Sequence, residues 1–436
     1  MAVTAPSAAP VDARDTGPPL LSKPVVSWAL YDLANTVFSM NIVSYFLSVW
    51  VIDVMGGTDT LWARANSVAM LMMLLTAPFL GAVSDRLGRR LPFLMVSTFL
   101  CVGLTALLGL PGLMGTIVLF VFANYFFQAG LIFYDSLLPV VSTPENRGRV
   151  SGLGVGLGYV GSFLGVGIGT FLLTRYDYVA VFRLTAVIFL LFSIPIFVFV
   201  KEPRRRARKH EGHILSGAFS QVARTVRDVR RYRGLGRFLI GRAFYTDAAN
   251  TLIVFMGIYA IQNIGYSETL TPILMMVAIG AAVAGGLVWG PVVDRLGPKR
   301  TLELVLFGWM GTLLAASLIP LLGLPRVLFW GVACAAGICL GGTWSSDRPL
   351  MLVLSPPAKV GEFYGLYSMV GRFAAVIGPL LWAFVAETLG MGRPVAVLVL
   401  FFMVVAAWFI LRRVDDTPRD WRPEELGGEE ADPAPA

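Results

Sequence analysis

Long apolar stretches alternate with short polar ones along almost the whole chain. Runs of about 18 or more apolar residues are long enough to cross the hydrocarbon core of a bilayer. Twelve such runs predict an all-α polytopic membrane protein with both termini on one side. The predicted helices are Val25–Val51, Leu61–Val83, Leu91–Leu110, Met114–Val141, Val150–Leu173, Val179–Val200, Arg237–Gln262, Leu270–Val293, Arg300–Leu322, Val327–Leu354, Phe363–Thr388 and Pro394–Leu411.

Two polar landmarks occur twice, in the same order and roughly 210 residues apart. Gly81-Ala-Val-Ser-Asp85-Arg86-Leu87-Gly88 returns as Gly290-Pro-Val-Val-Asp294-Arg295-Leu296-Gly297, and Asp32-Leu-Ala-Asn35 returns as Asp247-Ala-Ala-Asn250. The repeat predicts two six-helix bundles, 25–200 and 237–412, related by a pseudo-two-fold axis along the membrane normal. The remaining segments are an N-terminal tail (1–24), a linker (201–236) and a C-terminal tail (413–436). This organisation is typical of transporters.

Composition agrees with a membrane protein. Of 436 residues, 56% are hydrophobic and 14% are charged, which leaves too little polar surface for a water-soluble chain of this length. The three cysteines, Cys101, Cys334 and Cys339, all fall inside apolar runs. They are therefore interpreted as small buried side chains and not as a disulfide framework or a metal site.

Cations concentrate on alternate loops, and this asymmetry predicts the orientation of the chain. One face carries Arg86, Arg89, Arg90, Arg147, Arg149, Arg295, Lys299, Arg300 and the basic linker, whereas the other has scattered cations such as Arg175, Arg326 and Arg393. The positive-inside rule places both termini in the cytoplasm, with the protein in the cell membrane. Residues 1–24 lack the apolar core of a signal peptide.

The linker predicts a basic amphipathic helix lying against the anionic inner leaflet. Its apolar positions have helical spacing and arginines surround them; they are Phe219, Val222, Val226 and Val229. Nucleic-acid binding is the alternative, but no binding fold accompanies the charge. His210 and His213 lack further ligands for a metal, so no metal or cofactor is expected. The tail beyond Leu411 is acidic and predicts a solvated terminus.

A glycine-rich stretch in the fifth predicted helix matches a nucleotide-binding pattern by chance. Gly156-Leu-Gly158-Tyr-Val-Gly161 follows no strand and lies within an apolar helix. Small residues at helical spacing allow two helices to approach closely. We predict that this helix and the eighth form the seam between the bundles, with the eighth contributing a small-residue face. The residues of the predicted seam are Gly152, Gly154, Gly165, Gly167, Gly169, Gly280, Ala281, Ala284 and Gly285.

Carboxylates inside predicted helices mark the candidate site. An ionisable group in a span is costly unless it faces a cavity or a partner. Helices one, four, seven and ten each hold one aspartate; these are Asp32, Asp135, Asp247 and Asp347. On the first helix, Asn35, Thr36 and Ser39 share a face with the aspartate, and on the seventh, Asn250 and Thr251 do so. These residues are the candidate solute-binding and proton-binding groups.

Three arginines lie well inside the second half, namely Arg242, Arg348 and Arg372. Asp347 and Arg348 are adjacent and point in different directions, so we expect Asp347 to pair with Arg372 or Arg242. Asp32 and Asp135 have no apparent partner. A desolvated carboxylate without a partner can bind and release a proton near neutral pH, as a proton-coupled carrier requires. The alternative is that Asp32 and Asp135 only cap helices or bond to the backbone.

The duplicated loop predicts a latch. Its glycines permit tight turns, and its charged residues can hold neighbouring helix ends until the bundles rock. The predicted gating residues are Gly81, Asp85, Arg86, Gly88, Arg89, Gly290, Asp294, Arg295 and Gly297. The loop resembles the signature loop of the major facilitator superfamily. That resemblance implies that helices one, four, seven and ten line a central cavity.

A narrower resemblance covers nearly the whole chain. Four segments are similar to the family of the fungal autophagy-related vacuolar amino-acid exporter and its bacterial relatives, and they include Tyr31 and Tyr134 as candidate site residues. The segments are Ser27-Trp-Ala-Leu-Tyr31-Asp32-Leu-Ala-Asn35, Phe133-Tyr134-Asp135-Ser-Leu-Leu-Pro139, Gly148-Arg-Val-Ser-Gly152 and Gly361-Glu-Phe-Tyr-Gly365-Leu-Tyr-Ser368. The resemblance implies amino-acid efflux.

These observations predict a monomeric secondary transporter that moves a small polar or amphipathic solute by alternating access, coupled to protons. Its partners are the lipid bilayer and the solute, without nucleic acid. The absence of a nucleotide-binding loop or cofactor motif disfavours an enzyme or a primary pump. A sugar or lysolipid cation symporter is one alternative, and a non-transporting membrane sensor or assembly factor is another.

Overall fold

The computed structural model describes residues 18–203, 232, 234–267, 269–417 and 421, and within those ranges every regular element is a helix. Eleven helices are long and apolar enough to cross a membrane, and one apolar helix of 16 residues is shorter. In chain order they are α1 Lys23–Val54, α2 Asp59–Leu87, α3 Leu91–Ala106, α4 Gly112–Ser136, α5 Arg147–Leu173, α6 Tyr178–Phe199, α7 Leu235–Ile264, α8 Leu270–Leu296, α9 Pro298–Leu321, α10 Leu328–Leu354, α11 Pro357–Thr388 and α12 Arg393–Arg412.

Each predicted span overlaps one of these helices, with two notable differences at the ends. The fourth predicted span continues to Val141, but α4 ends at Ser136 and a short helix, Leu138–Val141, follows. Pro139 explains the break because proline lacks an N–H and its ring clashes with the preceding turn. The third span ends at Ala106 and not at Leu110, and turns that include Gly109, with a φ of 85°, follow it.

The helix contacts repeat between the halves. In the first half α1 packs against α5 and α6, α4 packs against α2 and α3, and α3 packs against α6. In the second half α7 packs against α11 and α12, α10 packs against α8 and α9, and α9 packs against α12. Adding six to each helix number converts one set into the other. The predicted pair of six-helix bundles related by a pseudo-two-fold axis is therefore confirmed.

The two bundles meet along two matching seams, α5 with α8 and α2 with α11. Glycines permit the close approach at both. A Cβ on Gly152 would collide with the Gly286 carbonyl, and a Cβ on Gly365 would collide with the Ala77 carbonyl. The prediction that α5 and α8 form a seam is thus correct, whereas the α2–α11 seam was not predicted.

The predicted small-residue face of α8 is wrong in its details. Gly285 packs against α10 at the Ile338 carbonyl, and Gly280 has no atom near its would-be Cβ. The α8 glycines that meet α5 are instead Gly286 and Gly290. The predicted α5 face also divides. Gly152 faces α8, but three of the predicted glycines face α1, namely Gly154, Gly165 and Gly169, and Gly167 has no atom near its would-be Cβ. Residues four apart share one face of a helix, so glycines in two different registers of α5 lie on two faces and meet two different neighbours.

Both copies of the duplicated loop lie on one face of the molecule, here called the motif face. Lys299 forms an ion pair with Asp416 there, and Asn146 donates to the Pro18 carbonyl. The described ends of the chain are therefore on the same face. Large apolar side chains such as Leu75, Phe99 and Phe402 are exposed on the outside of the bundles, as a lipid-facing surface requires. The predicted linker helix, His210, His213 and most of both tails lie outside the described residues.

Candidate functional site

A cavity of about 340 Å³ lies between the two bundles. Six helices line it in symmetric threes, α1, α4 and α5 from the first bundle and α7, α10 and α11 from the second. Its walls combine charged, amide, hydroxyl and aromatic side chains. The lining residues are Asp32, Asn35, Thr36, Ser39, Phe127, Leu131, Asp135, Val155, Gly158, Tyr159, Arg242, Thr246, Asn250, Trp344, Arg348, Tyr367, Ser368, Gly371 and Arg372.

One arginine of the second bundle holds two carboxylates of the first. Arg348 Nη1 lies 3.0 Å from Asp32 Oδ2, and Arg348 Nε lies 3.0 Å from Asp135 Oδ1. The three side chains are only 10–12% exposed. The expectation that Asp32 and Asp135 lack a partner is therefore wrong. Their partner is 316 positions from Asp32 along the chain, so no local spacing could reveal it.

Aromatic residues support this triad from behind. Trp28 and Tyr134 stack with ring centroids 4.5 Å apart, and the Arg348 guanidinium lies 5.5 Å from the Tyr134 centroid. Tyr31 stacks on Tyr134 and its hydroxyl shares a hydrogen bond of 2.7 Å with Thr98. Among the described residues, the predicted site residues Tyr31 and Tyr134 are not part of the cavity wall. They hold the triad in position.

The second bundle contains a separate, internal ion pair. Arg242 Nε lies 3.2 Å from Asp347 Oδ2, and the guanidinium stacks on the Tyr367 ring with its Cζ 3.4 Å from the centroid. Asp347 also accepts hydrogen bonds from the Tyr245 and Tyr367 hydroxyls and is fully buried. Of the two predicted partners, Arg242 is correct and Arg372 is wrong. Asp347 thus lies beneath the cavity wall and positions Arg242, which is on the wall.

Asp247 does not face the cavity, contrary to the prediction. Its Oδ1 accepts a 2.8 Å hydrogen bond from the backbone N–H of Gly378 in α11. Gly378 precedes Pro379, whose ring disturbs the helix and leaves backbone groups to be satisfied by other partners. A Cβ on Gly378 would also collide with Thr251. Asp247 therefore serves helix packing, and its neighbours Thr246 and Asn250 line the cavity instead.

The polar stripe of α1 does line the cavity as one face. Asp32, Asn35, Thr36 and Ser39 are all on the wall. Asn35 is buried, and neither its side-chain oxygen nor its nitrogen has a hydrogen-bond partner among the described residues. An amide in this state has a donor and an acceptor available for a polar solute. Immediately after the stripe, α1 continues as a π-helical turn over Ser39–Ser44, a distortion that often marks functional segments.

Arg372 reaches across the cavity to the first bundle. It donates a hydrogen bond through Nη2 to the side-chain oxygen of Gln128 in α4. Gln128 in turn donates to Asn124. Sequence reasoning missed Gln128, although a signal was present. Asn124, Gln128 and Asp135 recur at helical spacing in an otherwise apolar span and so share one face.

The first copy of the duplicated loop caps a helix of the other bundle. The Asp85 carboxylate accepts hydrogen bonds from the N–H groups of Gly361 and Glu362, at 3.0 and 2.8 Å, near the start of α11. It also forms a buried ion pair with Arg90 at 2.9 Å. A carboxylate at a helix N-terminus satisfies free N–H groups and complements the helix dipole. Gly88, with a φ of 67°, ends α2 in the left-handed region that favours glycine.

The second copy repeats the arrangement at the other seam. Asp294 accepts from the N–H groups of Gly148 and Arg149 at the start of α5, at 2.6 and 3.2 Å. Its ion pair is with the Arg149 side chain, which is 48% exposed. Gly81 packs directly against Gly361, and Gly290 packs directly against Gly148. Among the predicted gating residues, Arg89 and Arg295 are exposed, whereas Arg86 is buried. The loops thus join the two bundles at the motif face.

A family model of the Major Facilitator Superfamily matches residues 33–379, and it also matches residues 238–435. The chain belongs to the Major Facilitator Superfamily. The resemblance inferred from the loop and span motifs is confirmed.

Relatives of this superfamily member include bacterial and fungal proteins. It is 25% identical over 415 residues to the uncharacterized MFS-type transporter YxiO of Bacillus subtilis, covering 90% of this chain and 95% of that protein. It is 25% identical over 274 residues to Autophagy-related protein 22-1 of Neosartorya fischeri, covering 56% of this chain but only 44% of that protein. The predicted kinship with the autophagy-related family is confirmed.

Solved structures show the same fold. The superfamily transporter FucP in its outward conformation matches with a TM-score of 0.70 at 13% identity, covering 90% of this chain and 100% of that chain. The proton:xylose symporter XylE matches with a TM-score of 0.70 at 11% identity, covering 89% of this chain and 93% of that chain. The superfamily consists of transporters and not of enzymes. The chain is therefore a multi-pass membrane protein that carries out secondary transport of a solute.

Proposed function

We propose that the chain is a proton-coupled secondary transporter that exports a small polar or amphipathic solute, of amino-acid type, across the cell membrane by alternating access. The observation that carries the proposal is the triad of Asp32, Arg348 and Asp135. It spans the cavity and joins the two bundles through charge. A single chain encloses this cavity, which supports a monomer as the working unit.

The charge count of the triad supports proton coupling. Two carboxylates share one guanidinium, so one negative charge within the triad is not compensated. Like charges that share a buried site favour uptake of a proton. Asp135 Oδ1, although close to Arg348, has no hydrogen bond of good geometry among the described residues. A proton on either carboxylate weakens the link between bundles and permits them to rock. Proton binding and the exchange of conformations are thereby coupled.

The substrate class rests on the walls and on kinship. The cavity presents amide, hydroxyl and charged groups beside Phe127, Leu131 and Val155, so it suits a small solute with a polar head and an apolar part. Kinship with the autophagy-related family supports an amino-acid-type solute. The cavity is small for a lysolipid, and a sugar remains the alternative to be compared in the assay.

The test uses the purified protein in liposomes. Vesicles receive radiolabelled amino acids or sugars and an imposed proton gradient, and uphill movement is followed with and without an uncoupler. We expect uphill amino-acid transport that the uncoupler abolishes. Solute flux that is independent of the proton gradient would refute proton coupling. Solute-dependent stabilisation of the protein without any flux would favour a sensor.

The cation distribution supports a cytoplasmic motif face. Described cations such as Arg90, Arg149 and Lys299 lie there, whereas the opposite face has few. Single cysteines at Thr417, on the motif face, and Ser267, on the opposite face, test the orientation in a background without native cysteines. Impermeant reagents applied to intact cells should label Ser267→Cys only. Labelling of Thr417→Cys from outside would reverse the assignment.

A further inference from the structure

Arg372 differs from the other arginines of the cavity in what it holds. Arg348 binds Asp32 and Asp135, and Arg242 binds Asp347. In the part of the chain that the structure describes, Arg372 has no carboxylate partner, and its one hydrogen-bond acceptor is the neutral amide of Gln128. Its buried Nε has no hydrogen-bond partner.

The cavity charges are therefore balanced in number but separated in space. Three arginines and three aspartates lie in or next to the cavity wall. Two of the aspartates share Arg348, and none forms an ion pair with Arg372 among the described residues. One end of the site carries an excess negative charge and the Arg372 end carries an excess positive charge. A partly buried cation of this kind is stabilised when an anionic group binds it.

The Nε–Nη2 edge of Arg372 has the geometry that carboxylates use. The Nε–H and one Nη2–H of a guanidinium are parallel donors on the same edge, and a carboxylate accepts from both at once. Here Nε is unoccupied and Nη2 is held by a neutral oxygen. A carboxylate that displaced Gln128 would gain two charge-assisted hydrogen bonds in exchange for one neutral acceptor.

We propose that Arg372 is the subsite for a carboxylate group of the transported solute, and that Gln128 occupies this subsite while the solute is absent. The inference rests on the proposed function, because it assumes that the solute enters this cavity. Gln128 belongs to α4 and Arg372 to α11. Solute binding consequently removes a hydrogen bond between the bundles, in addition to neutralising the cation.

The test is equilibrium binding to the purified full-length protein, measured by thermal stabilisation. Three probes of similar shape separate the chemistry: L-leucine has a carboxylate and an amine, 4-methylpentanoate has the carboxylate alone, and leucinamide has the amine alone. We expect a carboxylate probe to bind at least about tenfold more tightly than leucinamide. Binding of 4-methylpentanoate as tight as that of leucine identifies a simple anion, and preference for leucine identifies a zwitterion.

Variants assign the preference to Arg372. Arg372→Gln should reduce carboxylate affinity by about 100-fold, whereas Arg372→Lys, which keeps the charge but loses the paired donors, should reduce it by about tenfold. Arg64→Gln removes an exposed arginine and should change nothing. The proposal is overturned if wild-type protein shows no preference for carboxylates or if Arg372→Gln retains it.

Failure of the transport proposal would look different. If carboxylate binding depends on Arg372 but liposomes show no proton-driven flux, the subsite stands and the transport mechanism does not. If proton-driven flux of the solute is unchanged in Arg372→Gln, the transport mechanism stands and the subsite does not.

Discussion

Asp32 and Asp247 occupy matching positions in the two halves but have different partners. Asp32 faces the cavity and binds Arg348 of the other bundle. Asp247 turns to α11 of its own bundle and accepts from the Gly378 backbone. Duplication thus preserved the helix and the aspartate, while the surroundings gave the two side chains different tasks.

The other carboxylates of the spans show the same contrast, whereas the ion pairs of the loops reverse it. Asp135 reaches across the cavity, whereas Asp347 remains within its bundle. Both loop aspartates cap a helix of the opposite bundle, but Asp85 holds buried Arg90 and Asp294 holds the half-exposed Arg149. Backbone contacts follow the symmetry and charged contacts depart from it. Within the spans, the carboxylates of the first half therefore link the bundles and Asp347 of the second half belongs to an internal scaffold, whereas at the loops the ion pair that crosses between bundles is that of Asp294.

The largest expected effect separates the two ion-pair arrangements. Asp347→Ala leaves Arg242 buried without a carboxylate and should lower the free energy of unfolding by about 3–5 kcal/mol. Asp135→Ala should cost less, because Arg348 retains Asp32. Thermal unfolding of both purified variants measures the difference. Equal losses of unfolding free energy would show that the triad around Arg348 and the Arg242–Asp347 pair contribute equally to stability, which would contradict this prediction.

The second prediction concerns the matched aspartates themselves. Asp32→Asn mimics a permanently protonated side chain, so proton-driven transport should fall by more than about 100-fold, or about 2.8 kcal/mol, while solute exchange persists. Asp247→Asn is the matched control, since its amide oxygen can still accept from Gly378. Liposome flux with and without a proton gradient measures both. If an Asp32→Asn variant still moves solute uphill, Asp32 does not carry the proton, and Asp135 becomes the candidate proton-binding residue.

The third prediction compares the loops. Asp85→Asn should slow transport by about tenfold, and Asp294→Asn by about threefold, because only Asp85 neutralises a buried arginine. Solute affinity should change by less than about tenfold in either variant, since neither aspartate lines the cavity among the described residues. Initial rates and binding constants give the two quantities. Loss of binding would instead place the loop in the solute site.

The smallest expected effect tests whether the seams are equivalent. Gly152→Ala and Gly365→Ala each place a Cβ against a backbone carbonyl of the facing helix and should each destabilise the protein by about 1 kcal/mol. Gly167→Ala in α5 is the control, because no atom lies within 4 Å of its would-be Cβ. Unfolding midpoints measure the three variants. A destabilised control would indicate a helix-wide effect and not a seam effect.

The sequence by itself determined the twelve apolar spans, their duplication and the face shared by both loops, because hydrophobic length and repeated motifs are properties of the chain alone. It also located the triad carboxylates and the polar stripe of α1, since a charge or an amide in an apolar span is conspicuous. The Arg242–Asp347 pair was one of two options that spacing left open.

Only the tertiary structure decided which charges meet. Arg348 joins Asp32 across 316 positions of sequence, and Arg372 joins Gln128 across 244. Helical periodicity specifies which residues share a face, but not the rotation of that helix against a distant one. The rotation depends on packing, including the glycine contacts of both seams. For the same reason Asp247, which matches Asp32 in sequence, points toward Gly378 and away from the cavity.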